Sequence, residues 1–251
     1  MLIDTHCHID RFPDPMGLAT QCENYRVVTI AVTNVPSHFE MAASHIGSMR
    51  YVRPALGFHP LTAADNMREL PLFLSLLERA QYVGEIGLDY SKEGMSSREK
   101  QLQAFHAIAE ALSRNPKFVT LHSRGSAEDV LEILEQYNVK QCVFHWYTGS
   151  MPTLARVIDS GHYLSFNTAM LEAKKGPSVL DRVPRDRVLT ETDGPYVKAG
   201  RMPVRPLDVG RVIEGIAARW AVSVDDVEAK VTSNFERLCE SLGLSTEGIS
   251  P

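Results

Sequence analysis

Six side chains able to bind a divalent cation stand at or near the ends of five short apolar runs. The runs are Ile3-Asp4-Thr5-His6-Cys7-His8, Val83-Gly84-Glu85, Val119-Thr120-Leu121-His122, Val143-Phe144-His145 and Leu189-Thr190-Glu191-Thr192-Asp193. Alternate side chains of an extended chain share a face, so His6 and His8 point one way and Cys7 the other. Imidazole and carboxylate donors without thiolate suit Zn, Mn or a partly hydrated Mg, and the residue types do not choose among them. His6, His8, Glu85, His122, His145 and Asp193 exceed what one catalytic zinc needs, because such a site keeps a position open. Two divalent ions fit better, with Glu85 as the carboxylate bridging ions roughly 3.5–4 Å apart. Such a pair activates a water and stabilises charge on an attacked phosphoryl or carbonyl oxygen. Asp193 can hold an ion and also accept the proton of that water.

Donors spread from residue 6 to residue 193 can meet only in a fold that gathers strand ends. Eight strand-like runs, roughly 2–6, 27–35, 51–58, 82–88, 117–122, 140–145, 162–168 and 187–192, alternate with helical patterns over most of the chain. The clearest helix covers about 97–113, with Leu102, Phe105, Ile108, Ala109 and Leu112 on one face. Others are expected over about 68–79, with Pro71 in its first turn, after Ser126, over 206–220 and up to about 242. The run Val27-Val28-Thr29-Ile30-Ala31-Val32 is apolar nearly throughout, as in a strand covered on both faces. This alternation predicts parallel strands with crossover helices. An open sheet could leave the first and last strands far apart. Donors on both favour closure into an α/β TIM-type (β/α)8 barrel, whose active site forms at the C-terminal strand ends.

A chain of 251 residues suits one such barrel, and no shift in composition marks a boundary, so a single domain over 1–251 is expected, with 245–251 a loose tail. Composition is that of a soluble globular protein, 44% hydrophobic and 23% charged. The chain starts in a strand-like run and has no apolar stretch of about 18 residues, which predicts a cytoplasmic protein without a membrane partner. Cys7, Cys22, Cys142 and Cys239 form no CxxC pair and read as buried free thiols. A formal charge of −5 argues against a general nucleic-acid coat. A local basic rim remains open to the chain, because Arg11, His59, Lys92, Arg124, Lys174, Lys175, Lys198, Arg201 and Arg205 fall in loops after strands. Trp146 and Tyr147, next to His145, can stack on a base or wall a pocket. Gly84 and Gly87 flank Glu85-Ile86 and permit close backbone approach. His38, His45, His106 and His162 fall outside the strand-end pattern and read as surface or packing residues.

The segments VGEIGLDY, TLHSRGSAEDVLEIL, CVFHWYTGS and LTETDGPY resemble the signature segments of the TatD family of metal-dependent deoxyribonucleases, which are amidohydrolase-like barrels. The likeness runs in order from His6 to the helix near Asn234. It implies one ion held by His6, His8, Glu85 and Asp193, and a second held by Glu85, His122 and His145. It also matches His59, in Gly57-Phe58-His59-Pro60, to a histidine near the substrate phosphate. Two departures concern substrate grip: Leu61 replaces a second histidine after the His-Pro pair, and Val204-Arg205-Pro206-Leu207-Asp208 replaces an Arg-Asn-x-Pro element. DRFPDP, HSR, HWYTGS and PRDRVLTETDGPY are most similar to the TatD-like subunit of the Qat antiphage systems, which implies companion proteins.

The resemblance implies hydrolysis of DNA phosphodiester bonds from a 3′ end of single strands. Asp193, Glu85 and His59 are then the catalytic candidates, and His59, Arg124, Trp146 and Arg205 the substrate contacts. Hydrolysis of an aminoacyl-tRNA ester or a small amide could use the same activated water. Glu85 on the fourth strand, in place of the modified lysine of many amide-hydrolysing relatives, weighs against a cyclic amide. A third reading is a barrel subunit active only within a multiprotein defence complex.

Overall fold

The computed structural model describes residues 1–245. Eight strands form one sheet in sequence order, each parallel to the next. They are β1 (Ile3–Cys7), β2 (Val28–Val32), β3 (Val52–Leu56), β4 (Tyr82–Gly87), β5 (Phe118–His122), β6 (Val143–Phe144), β7 (Tyr163–Phe166) and β8 (Val188–Thr190). With its outer helices this is the expected (β/α)8 barrel, nearly closed. The loose tail expected over 245–251 lies, apart from Ser245, outside the described residues.

The closure between β8 and β1 is built from side chains. Thr5 donates to the Thr190 carbonyl at 3.0 Å, and the Thr190 hydroxyl donates to the Ile3 carbonyl at 2.5 Å. The buried Asp4 carboxylate accepts from the Thr192 amide at 2.9 Å and from the Thr192 hydroxyl. Backbone bonds resume just above, from Asp193 to the His6 carbonyl and from His8 to the Gly194 carbonyl, both 2.9 Å. These pairings satisfy the Thr5, Thr190, Thr192 and Asp4 side chains of the seam, which is what allows them to lie away from water.

The helices are α1 (Pro15–Asn24), α2 (Pro36–Ile46), α3 (Pro60–Asn66), α4 (Leu70–Leu76), α5 (Arg98–Arg114), α6 (Ala127–Gln136), α7 (Met151–Asp159), α8 (Thr168–Glu172), α9 (Gly176–Arg182), α10 (Gly210–Trp220) and α11 (Val224–Ser241). Helix α5 buries Phe105, Ile108, Ala109 and Leu112 of the expected face; Leu102 is only half-buried, and Gln101 and Ala104 are buried beside them. The helix expected over 68–79 is divided: a 3-10 turn spans Met67–Glu69 and α4 begins at Leu70. Pro71 sits in the first turn of α4, where a missing N–H breaks no helical bond.

One mouth of the barrel is sealed. Helix α11 starts in a reciprocal capping box between Ser223 and Asp226. It packs Phe235 against Phe118, at the start of β5, with ring centroids 5.7 Å apart. Asn234 donates to the carbonyls of Arg185 and Val188 at 2.8 Å each, beside the start of β8. The Met1 amino group pairs with Glu228 of the same helix. Truncating Phe235 to alanine should cost about 3–5 kcal/mol, typical of a fully buried aromatic ring. The opposite mouth carries the strand C-termini and opens to solvent.

Candidate metal centre

Glu85 is the hub of that open mouth. Its presentation depends on two close approaches. A Cβ at Gly84 would lie 2.3 Å from the Thr120 methyl, and one at Gly87 would lie 2.1 Å from the His122 carbonyl. Only glycine lets β4 lie this near β5, and the β4–β5 register shifts between Val83 and Ile86, around Glu85. Glu85 is 2% exposed and its two oxygens face different partners.

Oε2 looks towards the β1/β8 seam. It lies 3.6 Å from His6 Nε2 and 3.1 Å from His8 Nε2. Asp193 Oδ1 completes the group, 3.8 Å from His6 Nε2 and 3.7 Å from His8 Nε2. His6 Nδ1 shares a 2.8 Å hydrogen bond with the Thr120 hydroxyl across the barrel, which aims Nε2 into the site. Two of the atoms that face this group, His6 Nε2 and Asp193 Oδ1, are buried without a hydrogen-bond partner within the protein. Buried polar atoms are rarely left so unless something else satisfies them. Donor separations of 3.1–3.8 Å suit the edges of a coordination shell with bonds of about 2.0–2.2 Å. These residues therefore fit a divalent cation.

Oε1 looks the other way, to His122 Nδ1 at 2.5 Å and His145 Nε2 at 2.8 Å. Each imidazole has a carboxylate behind it. His122 Nε2 meets Asp89 Oδ2 at 2.7 Å, and His145 Nδ1 lies 3.7 Å from Glu191 Oε1. That carboxylate–histidine order is the one that orients metal-binding imidazoles. Glu191 is itself held by Asn167 at 2.8 Å, by Ser165 and by the Trp146 amide at 3.1 Å. Trp146 and Asp193 both have left-handed backbones, with φ of 38° and 48°. Such residues cost about 1–3 kcal/mol each, and both sit beside the candidate donors.

Three groupings of donor atoms could hold an ion among the described residues: His6, His8 and Asp193; His6, Glu85 and His145; and His59, Glu85 and His122. His59 is a poor ligand for a reason visible in its bonds. Its Nδ1 accepts from the Leu61 amide at 3.1 Å, so the neutral ring carries its proton on Nε2. That N–H points at Glu85 Oε2, 3.3 Å away, and is a donor rather than a lone pair.

The charges follow from this packing. Burial, with His145 nearby, holds the His6 pKa well below the ordinary value. Burial also lowers His59, to about 4. Burial opposes charge on Glu85, but His59, His122 and His145 outweigh it and keep the carboxyl well below its usual range. Burial likewise opposes charge on His145 and His122. Glu85 overcomes it in both, aided by Glu191 and Asp89 respectively, and raises both rings. Burial pushes Asp193 well up, against the pull of His145. Burial also raises Asp4, below the site, to about 7.

A cleft of about 710 Å³ opens above these groups. Its lining includes His8, His59, Glu85, His122, His145, Asp193, Arg124 and Trp146, so the expected catalytic and substrate residues meet there, with one exception. Arg205 is not in the lining. It begins a 3-10 turn over Pro206–Asp208, where its amide donates to Asp208 at 2.9 Å and its Nε lies 3.6 Å from the same carboxylate. Arg205 thus stands outside the cleft, half-exposed and paired with Asp208. Tyr147 is buried, with its hydroxyl on the Ser150 carbonyl at 2.8 Å, and is a packing residue. Trp146 is half-buried and faces the cleft.

Sequence reasoning did not single out Asp89, Glu93, Asn34, Glu191 or Thr120. The first three line the cleft, where Asn34 Oδ1 is unpartnered; Tyr196, readable from the sequence as a stacking or pocket-wall residue, joins them with its ring edge-on to His8 at 4.9 Å. Asp89 and Glu191 stand within the very motifs that contain Glu85 and Asp193. A carboxylate close in sequence to an expected ligand was the available signal.

Residues 3–240 match the family model described as TatD related DNase. The chain is 29% identical over 256 residues to the Escherichia coli protein YcfH, named as an uncharacterized metal-dependent hydrolase, covering 94% of this chain and 95% of YcfH. It is 29% identical over 200 residues to a Vairimorpha ceranae protein named as a homologue of the deoxyribonuclease TATDN1, covering 79% and 74% of the two chains. The structure of the TatD homologue YjjV from Escherichia coli superposes with a TM-score of 0.83 at 24% identity, over 94% of this chain and 97% of YjjV.

Proposed function

The chain belongs to the TatD-related DNase family of metal-dependent hydrolases, and from that premise we propose that it hydrolyses DNA phosphodiester bonds, releasing nucleotides from the 3′ end of single strands. The observation that carries this reading is Glu85, whose two oxygens face separate sets of imidazoles at the floor of an open cleft. His6, His8, Asp193 and Glu85 Oε2 would hold one ion; His122, His145 and Glu85 Oε1 would hold the other. When bound, such ions polarise a phosphoryl oxygen and lower the pKa of water.

The chain's own groups supply the rest. Asp193, whose Oδ1 faces His6 and His8, also accepts the proton of the attacking water on its carboxylate. His59 donates from Nε2 to a non-bridging phosphate oxygen, a role fixed by the Leu61 amide on its other nitrogen. Arg124 is exposed on the cleft wall and offers a guanidinium to the same phosphate. Trp146 and the half-exposed Tyr196 offer ring faces to bases. Asp89 and Glu191 touch no substrate in this reading; they orient His122 and His145.

The single-domain extent over 1–251 belongs to this proposal, as does a cytoplasmic setting. Among the described residues no helix is long and apolar enough to cross a membrane. The motifs DRFPDP, HSR, HWYTGS and PRDRVLTETDGPY support placing the chain beside the TatD-like subunit of Qat antiphage systems, with companion proteins.

The test is hydrolysis of single- and double-stranded DNA, labelled at either end, with Mg, Mn or Zn supplied. Stepwise shortening of a 5′-labelled single strand is the expected result. Intact DNA in all three metals, with parallel cleavage of aminoacyl-tRNA, would move the assignment to ester hydrolysis. Activity appearing only when companion proteins are added would make the barrel one subunit of a larger enzyme.

A further inference from the structure

A second groove, of about 510 Å³, adjoins the metal cleft on the same face of the barrel. The two depressions share Trp146 and Thr148, so the tryptophan forms the ridge between them. Its position is fixed from below, because its amide donates to Glu191, which in turn is held by Asn167 and Ser165. The far wall of the groove is the turn joining α8 to α9. Ala173 N bonds back to Ala169 O and Met170 O, and Gly176 N bonds to Ala173 O. Gly176 lies so close to α8 that a Cβ there would fall 1.5 Å from the Met170 carbonyl. This tight turn places Lys174 and Lys175 on the groove wall.

The charge on this groove differs from that of the cleft. Lys174 and Lys175 are exposed and make no ion pair among the described residues. No carboxylate lines the groove, and Glu172, the nearest in sequence, lines a separate depression. The metal cleft is lined by Glu85, Asp89, Glu93 and Asp193. An anion in the cleft therefore needs cations to be held, whereas an anion in the groove meets two lysines and neutral walls. The apolar surface there, from the exposed Met151 and Ala173, would suit sugars and base faces.

We propose that this groove binds the single-stranded continuation of a DNA whose terminal phosphodiester lies in the metal cleft. Trp146 stacks on a base at the ridge, and Lys174 and Lys175 each neutralise one of the phosphates beyond it. The inference rests on the phosphodiesterase reading above and extends it from one bond to the strand that carries it. An unpaired strand fits and a duplex does not, because bases must be splayed apart to straddle the ridge and to expose a face to the indole. Pairing and stacking leave no such face free.

The test uses the metal-loaded enzyme and fluorescein-labelled phosphorothioate oligothymidylates of two and ten nucleotides, which resist hydrolysis. The wild type should bind the longer oligomer more tightly, with strong salt dependence. In Lys174→Ala/Lys175→Ala the affinity gained on going from two to ten nucleotides should shrink to the part that stacking on Trp146 supplies. The slope of log affinity against log salt for the ten-mer should fall by about 1.4, since each phosphate contact on a single strand contributes roughly 0.7. Each single variant should lower it by about 0.7, which keeps the test valid if the double variant folds poorly. Trp146→Ala should weaken the ten-mer by about 10-fold, within the range for one stacked base. A length dependence and salt slope identical to wild type in all the lysine variants would overturn the groove assignment while leaving the hydrolase reading intact. Equal binding of a ten-base-pair duplex would overturn its single-strand character. Failure of the wild type to bind or cleave any DNA would remove the phosphodiesterase reading itself.

Discussion

The two sides of Glu85 are built differently. On the seam side, His6, His8 and Asp193 are almost wholly buried, their donor atoms stand 3.1–3.8 Å from one another or from Glu85, and two of the facing atoms, His6 Nε2 and Asp193 Oδ1, have no partner in the protein. On the cleft side, His122 and His145 are already hydrogen-bonded to Glu85 at 2.5 and 2.8 Å, and His122 is also bonded to Asp89. The first arrangement is spaced for a cation and unsatisfied without one. The second is closed by protons, which a cation must displace. The contrast teaches that two ions at one bridging carboxylate need not be equivalent. The seam ion should be tight, and the cleft ion exchangeable and more dependent on pH.

The largest effect expected is that of Glu85→Gln, which weakens the bridge. Hydrolysis should fall by about 10³-fold or more, the several kcal/mol that metal ions supply to a charged transition state. Elemental analysis should show both ions diminished. Retention of full activity would break the comparison at its root.

A sharper version pits the two sides against each other after mild chelation and dialysis. Wild type and His122→Ala should each keep one ion per chain, and His6→Ala should keep none. The reverse order, with the ion lost in His122→Ala and kept in His6→Ala, would show that the cleft side is the tight one.

Next come the residues behind the imidazoles. Asp89→Asn and Glu191→Gln should each weaken metal affinity by about 10–100-fold, read by isothermal titration as well as by activity. Asp89→Asn should act on the second ion bound. An effect confined to the first would contradict the assignment of His122 to the cleft side.

The smallest effect on hydrolysis belongs to Asp4→Asn, which keeps an oxygen for the Thr192 and His6 amides. Its mark is on stability. Folded Asp4 titrates near 7 against an ordinary value of 3.8, so the folded chain holds an extra proton between those values. That stabilising contribution is complete below about pH 4 and is lost as pH rises towards 7. The variant should lack this decline, seen as a smaller fall in melting temperature from pH 4 to pH 7 than in wild type. Parallel melting curves would show that Asp4 does not carry it.

Much of the barrel was legible because its strands are apolar runs of period-two or fully buried type, and because each donor follows one. The ends of the strands were less so. The run expected over 27–35 stops at Val32, since the Thr33 hydroxyl takes the Gly57 amide and donates to Ala55, replacing ladder bonds. The run over 140–145 contracts to Val143–Phe144, with Gln141 at a φ of 59°. Apolar pattern reports burial, whereas a ladder also needs backbone alignment. Side-chain roles that depend on rotamer and partner were beyond pattern altogether. Arg205 looked like any basic loop residue until Asp208 was seen beside it, and nothing in the spacing marked the Leu61 amide as the group that sets the tautomer of His59.

The central claim is a Glu85-bridged pair of ions with unlike surroundings. Anomalous diffraction from crystals grown in Mn tests it most directly. The account predicts two peaks flanking the Glu85 carboxylate, one against His6, His8 and Asp193 and a weaker one against His122 and His145. A single peak at saturating Mn, or peaks that do not touch Glu85, would contradict it.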